Sequence, residues 1–191
     1  MVEVIIYLHG FNSAPSSTKA TQLKQAMEQH GLGQLYVCPA LPSRPLEAIM
    51  LIEKNIAKSK TPVTLIGSSL GGYYATYLTE KHQLKAVLVN PAVNANISLQ
   101  PCLGKQKNYY TDEEYEFTEA HLDELQRLEV KSIRKPERYL LMVETGDELL
   151  DYREAVEKFK EAKQIVIQGG DHSFQHFTDY IETIIEFSGL N

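Results

Sequence analysis

Tryptophan is absent from this 191-residue chain, and cysteine occurs only twice, at Cys38 and Cys102. Two distant thiols without metal-like spacing give no sign of a disulfide scaffold or a zinc site. They read as free thiols of a reducing, cytoplasmic compartment. Positive charge is also scarce: 19 Lys and Arg against 25 Asp and Glu leave a net charge of −6. With no basic cluster, the chain lacks the footprint of a nucleic-acid binder. Long apolar runs are missing as well. The longest, such as that from Val4 to Leu8, falls far short of the roughly 20 residues that cross a bilayer, so no membrane association is expected. Met1-Val2-Glu3 leads straight into a strand with no basic segment or long apolar stretch before it, and no secretion signal is expected. The length suits one domain, 1–191, with a core of its own.

What is present alternates. Val2 to Leu8, Leu35 to Cys38, the run opened by Pro62, Lys85 to Asn90, Tyr139 to Glu144 and Gln164 to Gln168 read as short buried strands. Between them, apolar residues recur at helical spacing, as in Leu46, Ile49, Ile52 and Ile56. A final helix is expected from about Phe174 to Phe187, with Phe174, Phe177, Ile181, Ile184 and Ile185 on one face. Six strands alternating with helices predict an α/β fold, a mostly parallel six-stranded sheet with helices on both faces. Residues 94–136 break the rhythm. They are polar and tyrosine-rich, with helix starts expected at Thr111-Asp112-Glu113-Glu114, which fits a capping box, and at Thr118. The segment reads as a small helical, lid-like insertion over one end of the sheet.

In such sheets ligands bind beyond the carboxyl ends of the strands, so the loops there are the place to seek chemistry. Gly67-Ser68-Ser69-Leu70-Gly71 is a G-x-S-x-G pattern in a strand–turn–helix context. The pattern is weak alone, but the context makes Ser69 a candidate nucleophile. After the first strand comes His9-Gly10-Phe11-Asn12, a loop that can offer the Phe11 amide to an oxyanion beside the Leu70 amide. His9 reads as a brace for that loop. After the strand ending at Glu144 come Asp147 and Asp151. Asp151 precedes a helix and reads as its N-cap, so Asp147 is the preferred acid; Glu144 is expected to be still in its strand and Glu148 to be solvated. After the last strand comes Gly169-Gly170-Asp171-His172, and His172 is the candidate general base. His176 could pair with it on a metal, but no third ligand is evident and none is assigned. His30, His82 and His121 read as surface residues. The order Ser69, Asp147, His172 is that of the α/β-hydrolases.

Leu8 to Ser13, Gly67 to Thr76, Val89 to Val93, Thr145 to Arg153 and Gly169 to Phe174 together resemble the YqiA-type esterases, small bacterial α/β-hydrolases. The blocks occur in order over nearly the whole chain. The resemblance implies a compact α/β-hydrolase fold without the first strands of the larger fold. It also implies hydrolysis of small acyl esters, with acyl-CoA thioesters as a second substrate class; acyl transfer through a serine is expected to need no cofactor. The family's triad carries over onto Ser69, Asp147 and His172. Other readings are a thioesterase or peptidase using the same residues, or a non-catalytic binding protein on a hydrolase fold. A phosphate-cradling turn at 67–72 is disfavoured, because Tyr73-Tyr74 stands where a P-loop needs Lys and then Ser or Thr.

Overall fold

The computed structural model describes residues 3–190; the expected start of the first strand at Val2 lies outside them. In chain order, β1 (Val4–Leu8), α1 (Thr18–Gln29), β2 (Tyr36–Val37), α2 (Pro45–Lys58), β3 (Val63–Ser68), α3 (Leu70–His82) and β4 (Lys85–Val89) alternate. Then come α4 (Ala95–Ser98), β5 (Gly104–Lys107), β6 (Glu114–Phe117) and α5 (Glu119–Arg127). β7 (Tyr139–Glu144), α6 (Tyr152–Lys158), β8 (Lys163–Ile167) and α7 (Ile181–Phe187) complete the fold. The main sheet has the order β2-β1-β3-β4-β7-β8, and every neighbouring pair in it is parallel.

Strand alternation divides the core in two. Ile5 and Tyr7 of β1 and Leu140 and Met142 of β7 point to the face covered by α1 and α7. Ile6 and Leu8, with Leu141 and Val143, point to the face covered by α2, α3, α5 and α6. The register aligns Leu8 with Gly67, Ser68 with Val89, and Glu144 with Ile167. The loops that follow these strands therefore emerge at one edge. β1 leads away to β2 on one side, and β3 leads to β4 on the other. The loops after β1 and β3 diverge there and leave a crevice at that switch point.

Three expectations change. The capping-box reading at Thr111 to Glu114 gives way to an antiparallel hairpin, β5 with β6. Its strands place Lys105 opposite Glu116 and Lys107 opposite Glu114, pairings that favour a two-stranded ladder. The Asn108 side chain accepts the Tyr110 and Thr111 amides at 2.9 and 3.2 Å, making a turn where Thr111 is expected to start a helix. The expected final helix is shorter: a 3-10 turn at Phe177–Tyr180 precedes α7, and Phe174 has φ +59°. The apolar face is nonetheless as expected, since Phe174, Phe177, Ile181, Ile184 and Ile185 are all buried. His121 is buried rather than on the surface; its ring lies 4.9 Å from that of Phe117 and its Nδ1 accepts the Thr118 amide at 3.1 Å. The insertion is fastened to the domain through Glu124 of α5, which pairs with Arg44 and accepts the Leu46 amide at 3.1 Å. Among the described residues no helix is long and apolar enough to cross a membrane.

Candidate active site

Ser69 stands between β3 and α3 with φ +55° and ψ −120°, a backbone state that costs a non-glycine residue about 1–3 kcal/mol. The neighbourhood over-determines it. A Cβ on Gly67 would overlap the Gly71 carbonyl, and one on Gly71 would overlap the Leu8 carbonyl. Only glycine at both positions lets β3, α3 and β1 close on the turn. The Ser69 amide donates to the Val89 carbonyl at 3.1 Å, and the Ser69 carbonyl accepts the Gly72 and Ala92 amides at 2.9 and 3.1 Å. The side chain is left as the one free part of the residue.

His172 reaches Ser69 from the loop after β8. Its Nδ1 lies 2.9 and 2.8 Å from the two carboxylate oxygens of Asp147. A carboxylate accepts only, so Nδ1 carries a proton, which in the neutral ring leaves Nε2 as the acceptor. Nε2 lies 3.0 Å from Ser69 Oγ, where a neutral ring accepts the hydroxyl proton. Asp147 also accepts the Leu149 and Leu150 amides, each at 2.9 Å, and its side chain is almost fully buried. Asp151 takes the N-cap of α6, accepting the Arg153 amide at 3.0 Å. The candidate nucleophile, base and acid thus meet, and the rival aspartate is engaged elsewhere. Glu148, expected to be solvated, is exposed but accepts the His172 amide at 3.0 Å.

The roles of two residues central to this geometry escape a reading by sequence. Glu144 ends β7 with its side chain fully buried. It accepts the amides of Asp171, Gln175 and His176 at 2.8, 3.1 and 3.0 Å, and the His176 ring at 2.8 Å. Burial alone would push its carboxyl up, but these hydrogen bonds together hold it below the ordinary glutamate value. The clamp fixes both sides of His172. It also explains Gly170, at φ +71°, where a Cβ would run into the Glu144 carboxylate. His176 is thereby tied to Glu144 rather than facing His172. The second residue, Asn90, donates to the carbonyls of Asp171 and His172 at 2.9 and 3.3 Å and accepts the Glu144 amide at 2.9 Å. A strand-final glutamate and an asparagine before a proline carry no motif; the nearest signal was the Val89 to Val93 block.

The loop after β1 lies against the elbow. A Cβ on Gly10 would sit 3.3 Å from Ser69 Cβ and 3.7 Å from its Oγ. Among the described residues, neither the Phe11 nor the Leu70 amide has a protein acceptor, which leaves both free to donate beside Ser69. His9 is buried, and burial lowers its pKa. It is neutral: the Leu41 amide donates to Nε2 at 3.0 Å, and Nδ1 donates to the Gly10 carbonyl at 3.1 Å. It braces the loop, as expected. The hairpin holds the other side. Asn12 accepts the Tyr115 hydroxyl at 2.6 Å and donates to Gln106 at 3.0 Å, and the Asn12 carbonyl accepts the Tyr109 amide at 3.0 Å. The Phe11 ring packs edge-on against Phe117, with centroids 5.2 Å apart.

Two cavities flank the elbow. One, of about 40 Å³, is bordered by Phe11 and Leu70 together with Leu41, Pro42, Tyr74 and Tyr115. The other, of about 250 Å³, lies on the α1 side and is bordered by Gly10, Lys19, Ser173 and Phe174 among others.

The architecture matches known proteins. A hydrolase assigned in Agrobacterium vitis superposes with a TM-score of 0.76 at 18% identity, covering 98% of this chain and 88% of that one. The alpha/beta hydrolase domain-containing protein 10 from mouse gives 0.74 at 15% identity, covering 95% and 88%. The esterase domain of a Rhodothermus marinus protein gives 0.69 at 16% identity, covering 98% and 86%. At these identities the likeness establishes the α/β-hydrolase fold. The sequence pattern of the Uncharacterised protein family (UPF0227) matches residues 4–189. The chain belongs to the UPF0227 family, the YqiA-like group that its five motif blocks resemble.

Proposed function

We propose that this protein is a serine esterase in which Ser69 is the nucleophile, His172 the general base and acid, and Asp147 the carboxylate that orients it. The observation that carries this reading is the hydrogen-bonded line from Ser69 Oγ to His172 Nε2 at 3.0 Å and from Nδ1 to Asp147 at 2.8 Å. The strained elbow and the family membership support it. Ser69 Oγ attacks the ester carbonyl as His172 Nε2 takes its proton; the resulting imidazolium is stabilised by Asp147. The carbonyl oxygen becomes an oxyanion facing the Phe11 and Leu70 amides. Loss of one such donor typically costs about 2.7–4 kcal/mol. Collapse expels the alkoxide, which takes the proton from His172 and leaves an acyl-Ser69. Water, deprotonated by His172, then attacks the acyl carbon; a second collapse releases the acid and returns the proton to Ser69. No step needs a metal or a redox cofactor. Thioesters follow the same route with a thiol as leaving group. The half-buried free thiols Cys38 and Cys102 suit a reducing cytoplasm.

The small cavity beside Phe11 and Leu70 suits a short acyl group, and residues 94–136 form its cover, within one domain of 1–191. Tyr115 borders this cavity from the hairpin. A p-nitrophenyl ester series from acetate to decanoate, with an acyl-CoA and a peptide anilide alongside, tests both points. Turnover should be highest for acetate and butyrate, with the anilide uncleaved. No hydrolysis at any chain length would contradict the esterase reading. Tyr115→Ala should move the preference towards hexanoate and longer esters, and Tyr115→Phe should not. An unmoved preference in Tyr115→Ala would remove the insertion from the acyl site.

A further inference from the structure

The larger cavity has no part in the scheme above, yet it adjoins the elbow: Ser68, the residue before the reacting serine, lines it. Gly10 borders it from the oxyanion loop, and Ser173 and Phe174 border it immediately after His172. At about 250 Å³ it equals the liquid volume of roughly eight water molecules, at about 30 Å³ each. The small cavity is bordered by Phe11 and Leu70, whose amides the scheme assigns to the oxyanion, and by no residue of the histidine loop. His172 must reach the leaving oxygen to protonate it, so the alcohol half of an ester departs on the histidine side. The acyl half then lies in the small cavity and the alcohol half in the large one.

The lining of the large cavity mixes polar with aromatic residues and carries charge of one sign. Among the described residues it holds Lys19 and no carboxylate. Lys19 Nζ donates one hydrogen bond, to the Ser173 carbonyl at 2.6 Å, which leaves two of its three N–H groups for another acceptor. The nearest carboxylates are already engaged. Asp171 accepts from Ser173 and Gln175, Glu144 from its four donors, and Asp147 from His172 and two amides. Burial pulls the ammonium down to about 8, against the raising effect of Asp171, Glu144 and Asp147, so it stays mostly charged at neutral pH. Ser13, Ser17 and Thr18 add hydroxyls to the same wall. Lys19 lies in the first turn of α1, whose positive dipole end adds to the attraction for anions.

We propose that this cavity receives the alcohol half of the substrate and that Lys19 selects small alcohols bearing an anionic oxygen group, a carboxylate or a phosphate. The inference rests on the esterase reading and adds the leaving-group class to it. Three acetate esters of similar shape test it: 4-acetoxybenzoate, 4-acetoxyphenyl phosphate and the neutral 4-acetoxybenzamide. For the wild type, kcat/KM should be at least tenfold higher for one or both anionic esters than for the amide, and the better anion identifies the group preferred. Lys19→Met should bring that ratio close to one, and Lys19→Arg should keep most of it. A wild-type ratio near one, or a ratio that survives Lys19→Met, overturns the inference. Should Lys19→Met fail to fold, inhibition of the wild type decides. The products 4-hydroxybenzoate and 4-hydroxyphenyl phosphate should compete against p-nitrophenyl acetate, the better of them at least tenfold more tightly than 4-hydroxybenzamide; equal inhibition overturns the inference. The two failures are distinct: three inert esters would sink the esterase reading, and three esters cleaved equally would sink only the role of Lys19.

Discussion

Ser69→Ala is expected to lower kcat for p-nitrophenyl butyrate by about 10⁶-fold, the scale on which removal of a serine-hydrolase nucleophile acts. The size follows from the chemistry. Without Oγ no acyl-enzyme forms, and His172 and the Phe11 and Leu70 amides can only assist direct attack by water, which leaves about 10³-fold over the uncatalysed rate. The fold should be indifferent, because the elbow is held by the backbone hydrogen bonds of Ser69 and by Gly67 and Gly71. Ser68 is a sharper comparison than a distant control. It is one residue earlier, buried, and the last residue of β3. Ser68→Ala should lose no more than about tenfold. A Ser68→Ala loss equal to that of Ser69→Ala would mean that the pair acts together or that the wrong serine has been assigned.

Glu144→Ala is expected to cost substantial stability and to lower kcat as well. The substitution strips three backbone donors and the His176 ring of one buried acceptor. Orphaned donors cost about 1–3 kcal/mol each when they stay buried. With water reaching the exposed side of the loop, about 3–5 kcal/mol in all is expected, the range seen when a buried charged partner is removed. For a chain of this length that is a fall of about 10 °C in thermal midpoint. His172 lies between the clamped residues, and a displacement of about 1 Å there is worth about 10²-fold in rate. The acid limb should change too. The Glu144 carboxyl is held below its ordinary value in the folded state, so its contribution is present above the unfolded value of about 4.3 and is lost as pH falls through the lowered one. The stability of Glu144→Ala should therefore fall less steeply in acid than that of the wild type. Calorimetry across pH and steady-state kinetics read both effects. An unchanged midpoint with unchanged kcat would mean that the loop holds itself.

The sheet was legible because its strands are short, apolar and β-branched, and because each is followed by a polar or glycine-rich loop. The meeting of Ser69, Asp147 and His172 was foreshadowed by where each stands, one residue group per strand end and in α/β-hydrolase order. The hairpin of residues 104–117 was misread because Thr111 to Glu114 satisfies a capping pattern. The alternation of Glu114, Tyr115, Glu116 and Phe117, with its facing lysines at 105 and 107, carries the strand signal. Local propensity lost to cross-strand charge pairing and to the burial of Phe117 against Phe11. Glu144 and Asn90 were invisible for another reason. Most of their partners are backbone amides and carbonyls many residues away, and backbone groups leave no mark on sequence. Lys19 reads as an ordinary exposed residue of a helix start until the loop after β8 folds over it.

The assignment of Ser69 as the nucleophile is tested most directly by covalent capture. The purified protein is treated with a fluorophosphonate, digested, and the modified peptide sequenced by mass spectrometry. One adduct per chain is expected, on Ser69, absent in Ser69→Ala and slowed in His172→Ala, where the base that activates the hydroxyl is gone. An adduct that persists in Ser69→Ala, or one that maps to Ser68, would contradict it.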